Sequence, residues 1–331
     1  MRRRDFIALL GGATATRPLA ARAQQLGGVR HVGVLVAYDE SDPRPQRWLT
    51  SFTKGLAELG WTTGRNLQTD IRWAGNDVNL MQKLAKELVA LKPDVILAFG
   101  TPVTAALHRE TRTIPIVFVI VSDPVGEGFV ASLAHPGGNI TGFHNSEASI
   151  GGKWFELLAL VAPGLKRVAM IYNPDTAPGH GKYYLPDFDA AARLSQVTPM
   201  PAAVDSVADL KAVIANLGSE PGGGFIANAD FFLLNNREPM IAAAAQNRVP
   251  AIYPWREAAD AGGLLSYGPD LEDIVRRAAP YVDRILRGEN PADLPIQVPT
   301  KFQLVVNLKS AKTLGLTISR DFLLVVDEVI E

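Results

Sequence analysis

Asp94-Val-Ile-Leu-Ala-Phe-Gly-Thr-Pro-Val-Thr-Ala-Ala-Leu-His-Arg-Glu-Thr-Arg-Thr-Ile-Pro-Ile-Val-Phe-Val-Ile-Val121 reads as one strand–helix–strand unit. Asp94–Phe99 and Ile114–Val121 are short apolar runs of strand length, the pattern of strands buried on both faces. Pro102–Glu110 lies between them as the crossover helix. Two such strands joined by a helix imply a right-handed crossover and a parallel sheet covered on both sides.

The same alternation extends in both directions. Upstream, His31–Ala37 reads as a first buried strand, and Trp48, Leu49, Phe52, Leu56 and Leu59 recur at helical spacing until Gly60. Leu67–Trp73 alternates as a strand, and the helix marked by Leu80, Met81, Leu84, Leu88 and Leu91 ends at Pro93. Downstream, Pro136-Gly137-Gly138-Asn139 is a turn cluster and Ile140–Asn145 an extended link. Helical Lys153–Val161, Leu185–Leu194, Val207–Leu217, Arg237–Gln246 and Leu271–Arg287 then alternate with strands Arg167–Tyr172, Gly224–Asn228, Pro250–Tyr253 and Gly263–Tyr267. Asp205 or Ser206 is placed to cap the helix at Val207. The expected fold is α/β, two doubly wound parallel-sheet lobes joined by a hinge, with a cleft between the carboxyl ends of their strands.

Length and composition agree. A chain of 331 residues suggests two domains, and 47 % hydrophobic with 20 % charged residues is an ordinary globular balance. The net charge is −1, but residues 1–23 hold five Arg and one Asp, so the remainder carries 28 basic against 33 acidic side chains, a net of −5. That balance, without a basic run, argues against a nucleic-acid partner. The absence of cysteine excludes disulfides, thiolate catalysis and Cys-ligated metals, as well as a lipid anchor on an N-terminal Cys.

Residues 1–23 have a charged start, a short apolar stretch Phe6–Ala15 and the small-x-small Ala21-Arg22-Ala23, the pattern of an export signal, with Gln24 as the expected mature N-terminus. Arg3-Arg4-Asp5-Phe6-Ile7 resembles the twin-arginine signal, which we prefer to a general secretory signal with a basic start. The apolar stretch is far short of the roughly 20 residues that span a bilayer.

Enzyme signatures are thin. The chain has no G-x-G-x-x-G after a strand, no phosphate loop, no G-x-S-x-G and no H-E-x-x-H. His31, His108, His135, His144 and His180 lack metal-ligand spacing and read as surface or turn residues, so neither metal nor cofactor is expected. The strand ends are richer. Tyr38-Asp39 follows the first strand, Gly100-Thr101 precedes a helix, and Ser122-Asp123 follows the strand ending at Val121. In the second half come Tyr172-Asn173, Asp230 with Phe231 and Phe232, Tyr253, and Tyr267 near a link. A hydroxyl before a helix N-terminus suits a carboxylate, Asp123 and Asp230 could balance an ammonium, and aromatics could stack on a flat ligand. Singly, Asp-Pro and Asn-Pro also start turns, and loop aromatics also cap cores.

Several segments together resemble the ABC transporter substrate-binding family that includes tryptophan/tyrosine receptors. They are Arg2-Arg-Arg-Asp-Phe-Ile-Ala-Leu-Leu-Gly-Gly12, Ile114-Pro-Ile-Val-Phe-Val119, Asp123-Pro-Val125, Ser132-Leu-Ala-His-Pro-Gly-Gly-Asn-Ile-Thr-Gly142, Pro250-Ala-Ile-Tyr-Pro-Trp-Arg-Glu257, Ala261-Gly-Gly-Leu-Leu-Ser-Tyr-Gly268 and Lys301-Phe-Gln-Leu-Val-Val-Asn-Leu-Lys309. The resemblance implies a type I periplasmic-binding fold and an inter-lobe ligand site at Tyr38-Asp39, Gly100-Thr101, Ser122-Asp123, Asn173, Asp230 and Tyr253. It also implies more than one crossing between lobes, with Leu271–Arg287 returning to the first. The expected parts are then an export signal at 1–23, a first lobe of 28–140 plus about 269–296, and a second of 141–268 plus about 297–331. The implied molecule is a monomeric, unanchored receptor in a Gram-negative periplasm. It would bind an amino acid or an aromatic or carboxylate compound and dock on the membrane permease of an ABC importer. Tyr38-Asp39-Glu40 and Pro178-Gly-His-Gly-Lys182 depart from the family pattern at expected cleft edges. Two alternatives share the fold: a sensor subunit, and a periplasmic enzyme using Asp123, Asp230 or His180. A transcription regulator is disfavoured by the export signal and the lack of a helix-turn-helix segment.

Overall fold

The computed structural model describes residues 28–331, so the expectations for residues 1–23 lie outside the described residues. The first lobe is built from β1 (Arg30–Val36), α1 (Pro43–Glu58), β2 (Leu67–Trp73), α2 (Val78–Ala90), β3 (Val95–Phe99), α3 (Thr101–Glu110), β4 (Ile116–Val121) and β5 (Ile140–His144). Its sheet is parallel throughout, in the order β2-β1-β3-β4-β5. β3, β4 and β5 are buried along their whole length, the physical reason their sequences are apolar without alternation.

The second lobe follows with α4 (Ile150–Val161), β6 (Arg167–Tyr172), α5 (Leu185–Leu194), β7 (Thr198–Ala203), α6 (Val207–Gly218), β8 (Gly223–Ala227), α7 (Phe231–Asn235), α8 (Arg237–Gln246), β9 (Ala251–Tyr253), α9 (Arg256–Asp260) and β10 (Leu265–Pro269). After α10 (Leu271–Leu286) come β11 (Phe302–Asn307), α11 (Leu308–Thr313), α12 (Arg320–Leu323) and β12 (Glu328–Ile330). The second sheet runs β12-β11-β10-β9-β8-β6-β7, with only the β10–β11 pair antiparallel. The α/β fold with two parallel-dominated, doubly wound lobes is the one the alternation predicts.

Three segments cross between lobes. The first is 145–149, between β5 and α4; the second is the turn at Asp270, from β10 into α10; the third is 298–301, leading into β11. α10 packs on α1 and against β3, β4 and β5. Its approach to α1 needs small residues: a Cβ on Gly55 would lie 2.9 Å from that of Ala279. Trp61 Nε1 also donates to Asp283 Oδ1 at 2.7 Å. The crossings are tied together, since Asp270 N donates to the Lys301 carbonyl at 3.1 Å and His144 N to the Gln297 carbonyl at 2.8 Å.

Two details differ from the sequence reading. Ile140–His144, expected as a link with the second lobe beginning at 141, is the buried edge strand of the first sheet, and Gln297 bridges to Phe143 on its outer side. β7 was not anticipated, because Pro199 and Pro201 mask it. Thr198 and Val204 donate toward β6, so the alternate positions 199 and 201 face outward, where a missing N–H costs no ladder bond.

Candidate functional site

The carboxyl ends of both sheets face each other. From the first lobe, Tyr38 follows β1 and is wholly buried, its ring edge-on to Trp48 at 5.5 Å and to Phe231 of the second lobe at 5.1 Å. Phe231 also packs on Gly100, which closes β3. A Cβ there would overlap the Phe231 ring, and φ is +106°, so glycine is required both by space and by backbone. Thr101 is buried at the start of α3, an N-terminus that no side chain caps. Ser122 is buried after β4; its carbonyl accepts from His144 Nε2, and the Tyr184 hydroxyl of the second lobe hydrogen-bonds the Ser146 hydroxyl at 2.6 Å. Burial holds the Tyr184 phenol above its ordinary pKa, opposed by the nearby Ser122 and Ser146 side chains.

Other residues chosen from the sequence have local duties. Asp39 is exposed, and its Oδ1 accepts from the Ser41 hydroxyl at 2.6 Å and the Ser41 N–H at 2.9 Å, which holds its carboxyl below the usual range. Asp123 is half-buried and its Oδ1 accepts from Gly126 N at 2.8 Å, shaping the turn, while its charge still acts on Tyr183, Tyr184 and His144.

In the second lobe, Asp230 is buried and both its oxygens are engaged. Oδ2 accepts from Asn173 N at 2.8 Å; Oδ1 accepts from Leu233 N at 2.8 Å and the Thr176 hydroxyl at 3.3 Å. Burial pushes its pKa up to about 7 against the pull of these bonds. Asn173 completes the frame by donating Nδ2 to the Val204 carbonyl at 2.9 Å. Asp230 thus caps α7 and fixes Phe231, the next residue, against the first lobe. Tyr172 packs on Gly181, where a Cβ would overlap its ring. Tyr253 lies in the second lobe's core, edge-on to Phe225 at 5.8 Å. Tyr267 stacks on Phe302 at 5.7 Å beside the crossings, in a cavity of about 350 Å³ with Glu147 and Lys153. The structure therefore brings Tyr38, Gly100, Thr101 and Ser122 to the inter-lobe face, sets Asn173 and Asp230 behind it, and places Tyr253 and Tyr267 elsewhere. His180, one enzyme candidate, is an exposed turn residue whose Nδ1 meets the Pro174 carbonyl.

The lobes meet through Phe231 and a rim of polar contacts. Asn235 Nδ2 donates to the Ala37 carbonyl at 3.3 Å and to Asn76 Oδ1; Arg237 Nη1 lies 3.7 Å from Asp42 Oδ2; Gly179 N donates to Glu127 Oε1 at 2.8 Å. Within and beside this closed arrangement, five buried side chains hold polar atoms with no partner among the described residues: Tyr38 Oη, Arg44 Nη1, His144 Nδ1, both amide atoms of Asn228, and Ser266 Oγ. His144 ends β5, Asn228 directly follows β8, and Tyr38 stands two residues after β1. Such groups are costly to bury unpaired, which makes them natural contacts for a ligand.

Sequence reasoning missed Arg44, His144 and Asn228 as polar contacts, and named Phe231 only as a neighbour. His144 corrects the reading of every histidine as a surface or turn residue: it is 2 % exposed. Burial lowers its pKa, with the Ser122 carbonyl, Glu147 and Asp123 opposing. Asn228 and Phe231 could have been found as the first polar and the first aromatic residue after β8; Arg44 lies inside a helix and carries no such signal. Among the described residues no three His, Asp or Glu side chains gather to hold a metal ion, and no helix is long and apolar enough to cross a membrane.

Comparison with known proteins agrees with this architecture. The tyrosine-binding protein of Clostridioides difficile (strain R20291) is 26 % identical over 265 residues, covering 80 % of this chain and 75 % of that protein. The crystal structure of a conserved domain protein from Vibrio cholerae O1 biovar El Tor superposes with a TM-score of 0.84 at 28 % identity, covering 91 % of this chain and 99 % of the other. The ABC domain from Streptococcus pneumonia in complex with L-Trp superposes with a TM-score of 0.83 at 24 % identity, with the same coverage. The family model described as ABC transporter substrate binding protein matches residues 33–330, and the chain belongs to that family.

Proposed function

We propose that this protein is the receptor of an ABC importer, working outside the cytoplasmic membrane. It takes up an aromatic amino acid or a related small carboxylate between its lobes and presents the closed complex to a membrane permease. The observation that carries the reading is that the buried, unpartnered polar atoms of Tyr38 and Arg44 lie beside the Phe231 contact between the lobes, with those of His144 and Asn228 at strand ends. The tyrosine-binding relative and the L-Trp complex favour an aromatic amino acid, and the export pattern of residues 1–23 favours a periplasmic location.

Mechanistically, only a closed arrangement lets one ligand touch both lobes, so binding shifts an open–closed equilibrium toward the closed state. Phe231, held by the Asp230 frame, supplies an aromatic wall from the second lobe. Tyr38 and the start of α3 supply the facing wall, and the three crossings bend as the hinge. Importer docking would follow from surfaces on both lobes coming into register only on closure.

The test is a thermal-shift screen of the purified protein against amino acids, aromatic acids, nucleosides and sugars. A ligand at about 100 times its Kd adds roughly 2.7 kcal/mol, a shift readily seen. L-Tyrosine or L-tryptophan is expected among the hits, recovered chemically unchanged. Conversion of a hit, or hits that do not compact the protein in small-angle X-ray scattering, would sink the receptor reading.

A further inference from the structure

We propose that Arg44 and Tyr38 form an anion-reading end of the cleft, to which the ligand brings a carboxylate; this rests on the reading of the cleft as a ligand site. Arg44 lies in the first turn of α1 and is 4 % exposed. Asp42 occupies one edge of its guanidinium, with Nε at 3.0 and 3.1 Å from the two carboxylate oxygens and Nη2 at 2.5 Å. The other edge differs. Nη1 is buried and has no acceptor among the described residues, and the buried Tyr38 hydroxyl has no partner either. The guanidinium carbon stands 5.9 Å from the Tyr38 ring centroid, and that ring meets Phe231 of the opposite lobe, so both unpaired groups belong to the inter-lobe face.

The charge arrangement points to the ligand's chemistry. Asp42 is shared between Arg44 and Arg237 of the second lobe, so one carboxylate faces two guanidinium groups. A buried guanidinium Nη1 with no acceptor, on the same side of the cleft as an unpartnered phenol hydroxyl, matches a carboxylate better than any uncharged acceptor. Glu257 of α9 is the one competing anion: it acts electrostatically on both Arg44 and Tyr38 but forms no ion pair with Arg44 among the described residues. If Glu257 closed onto Arg44 instead, this end would be a latch between lobes rather than a reader of the ligand.

The experiment is calorimetric titration of the wild type, Arg44→Met, Tyr38→Phe and Glu257→Gln. The probes are L-tryptophan, L-tyrosine and indole-3-propionate, their carboxamides, and uncharged ribose and adenosine. The wild type is expected to prefer an acid to its carboxamide by at least about tenfold, the range of a charged hydrogen bond. Arg44→Met should erase that preference by weakening the acid alone; Tyr38→Phe should reduce it, and Glu257→Gln should preserve it. Should Arg44→Met fail to fold, as judged by its melting curve, Tyr38→Phe and Arg44→Lys carry the same comparison. Equal weakening of acid and carboxamide, or a loss in Glu257→Gln matching that in Arg44→Met, would overturn the assignment. Wild-type binding confined to ribose or adenosine would also overturn it, while leaving the inter-lobe receptor reading intact. Binding of no probe at all would count against both.

Discussion

Around Asp230 the second lobe meets the cleft with a closed frame, whereas around Tyr38 and Arg44 the first meets it with open valences. Asp230 joins the loop after β6 to the cap of α7 through Asn173, Thr176 and Leu233, leaving neither of its oxygens free of a partner. Across the gap, Tyr38, Arg44 and His144 are just as buried yet keep polar atoms without partners. The contrast suggests a division of labour. The second lobe sets a rigid aromatic wall at Phe231, and the first holds three of the five buried side chains with unpartnered polar atoms, Asn228 and Ser266 of the second lobe holding the rest. Pre-organising one wall reduces the ordering cost of closure, while unpaired polar groups confer specificity by penalising ligands that fail to match them.

The most direct way to break this contrast is to remove the frame. Asp230→Ala leaves two backbone N–H groups and a hydroxyl without their acceptor, and is expected to destabilise the protein by about 3 kcal/mol and abolish binding, read by urea unfolding and calorimetry. The frame also has a pH signature. A carboxyl that titrates near 3.8 when unfolded and at about 7 when folded binds its proton in the native state. Its contribution is therefore full below pH 4 and is lost as pH rises through 7, so stability from this group declines across that window. Asp230→Asn should flatten the decline, and an unchanged slope would show that Asp230 is ionised throughout. Next in size is Gly100→Ala, which puts a methyl group into the space of Phe231 at a backbone angle unfavourable to alanine. It should cost about 1–3 kcal/mol and weaken ligand binding at least tenfold, with scattering showing a wider average separation of the lobes. The smallest effect is expected for Asp39→Ala. Its carboxylate serves only the exposed turn at Ser41, so ligand affinity should stay within about twofold. A larger loss would return Asp39 to the site and blur the distinction between lobes.

The parts of the fold legible in sequence were those with a single physical cause. β1, β3 and β4 lie in a parallel sheet covered by helices, so burial writes their apolar runs directly into the chain. β5 was misjudged because Ile140-Thr-Gly-Phe-His144 follows a turn cluster and pairs on its outer side through a single bridge to Gln297, 154 positions after Phe143. β7 was hidden by prolines that only an edge position allows. For the site, strand ends could be located from sequence, which is how Gly100, Ser122, Asn173 and Asp230 were found. Side-chain direction could not be. That Asp230 turns to Asn173, that Tyr253 points into its own core, and that Arg44 lies over the Tyr38 ring are all set by tertiary packing.

The course of α10 also has a consequence for biosynthesis. Every strand of the first sheet has emerged once His144 is made, yet the helix that covers β3, β4 and β5 does not begin until Leu271. At about 5–20 residues per second, the ribosome leaves that apolar surface uncovered for roughly 7–28 seconds. The nascent chain thus passes through a long interval in which its N-terminal half can neither finish folding nor shield itself from aggregation. Cytosolic holdase chaperones that recognise exposed apolar strands should bind within that interval and release once Leu286 has emerged.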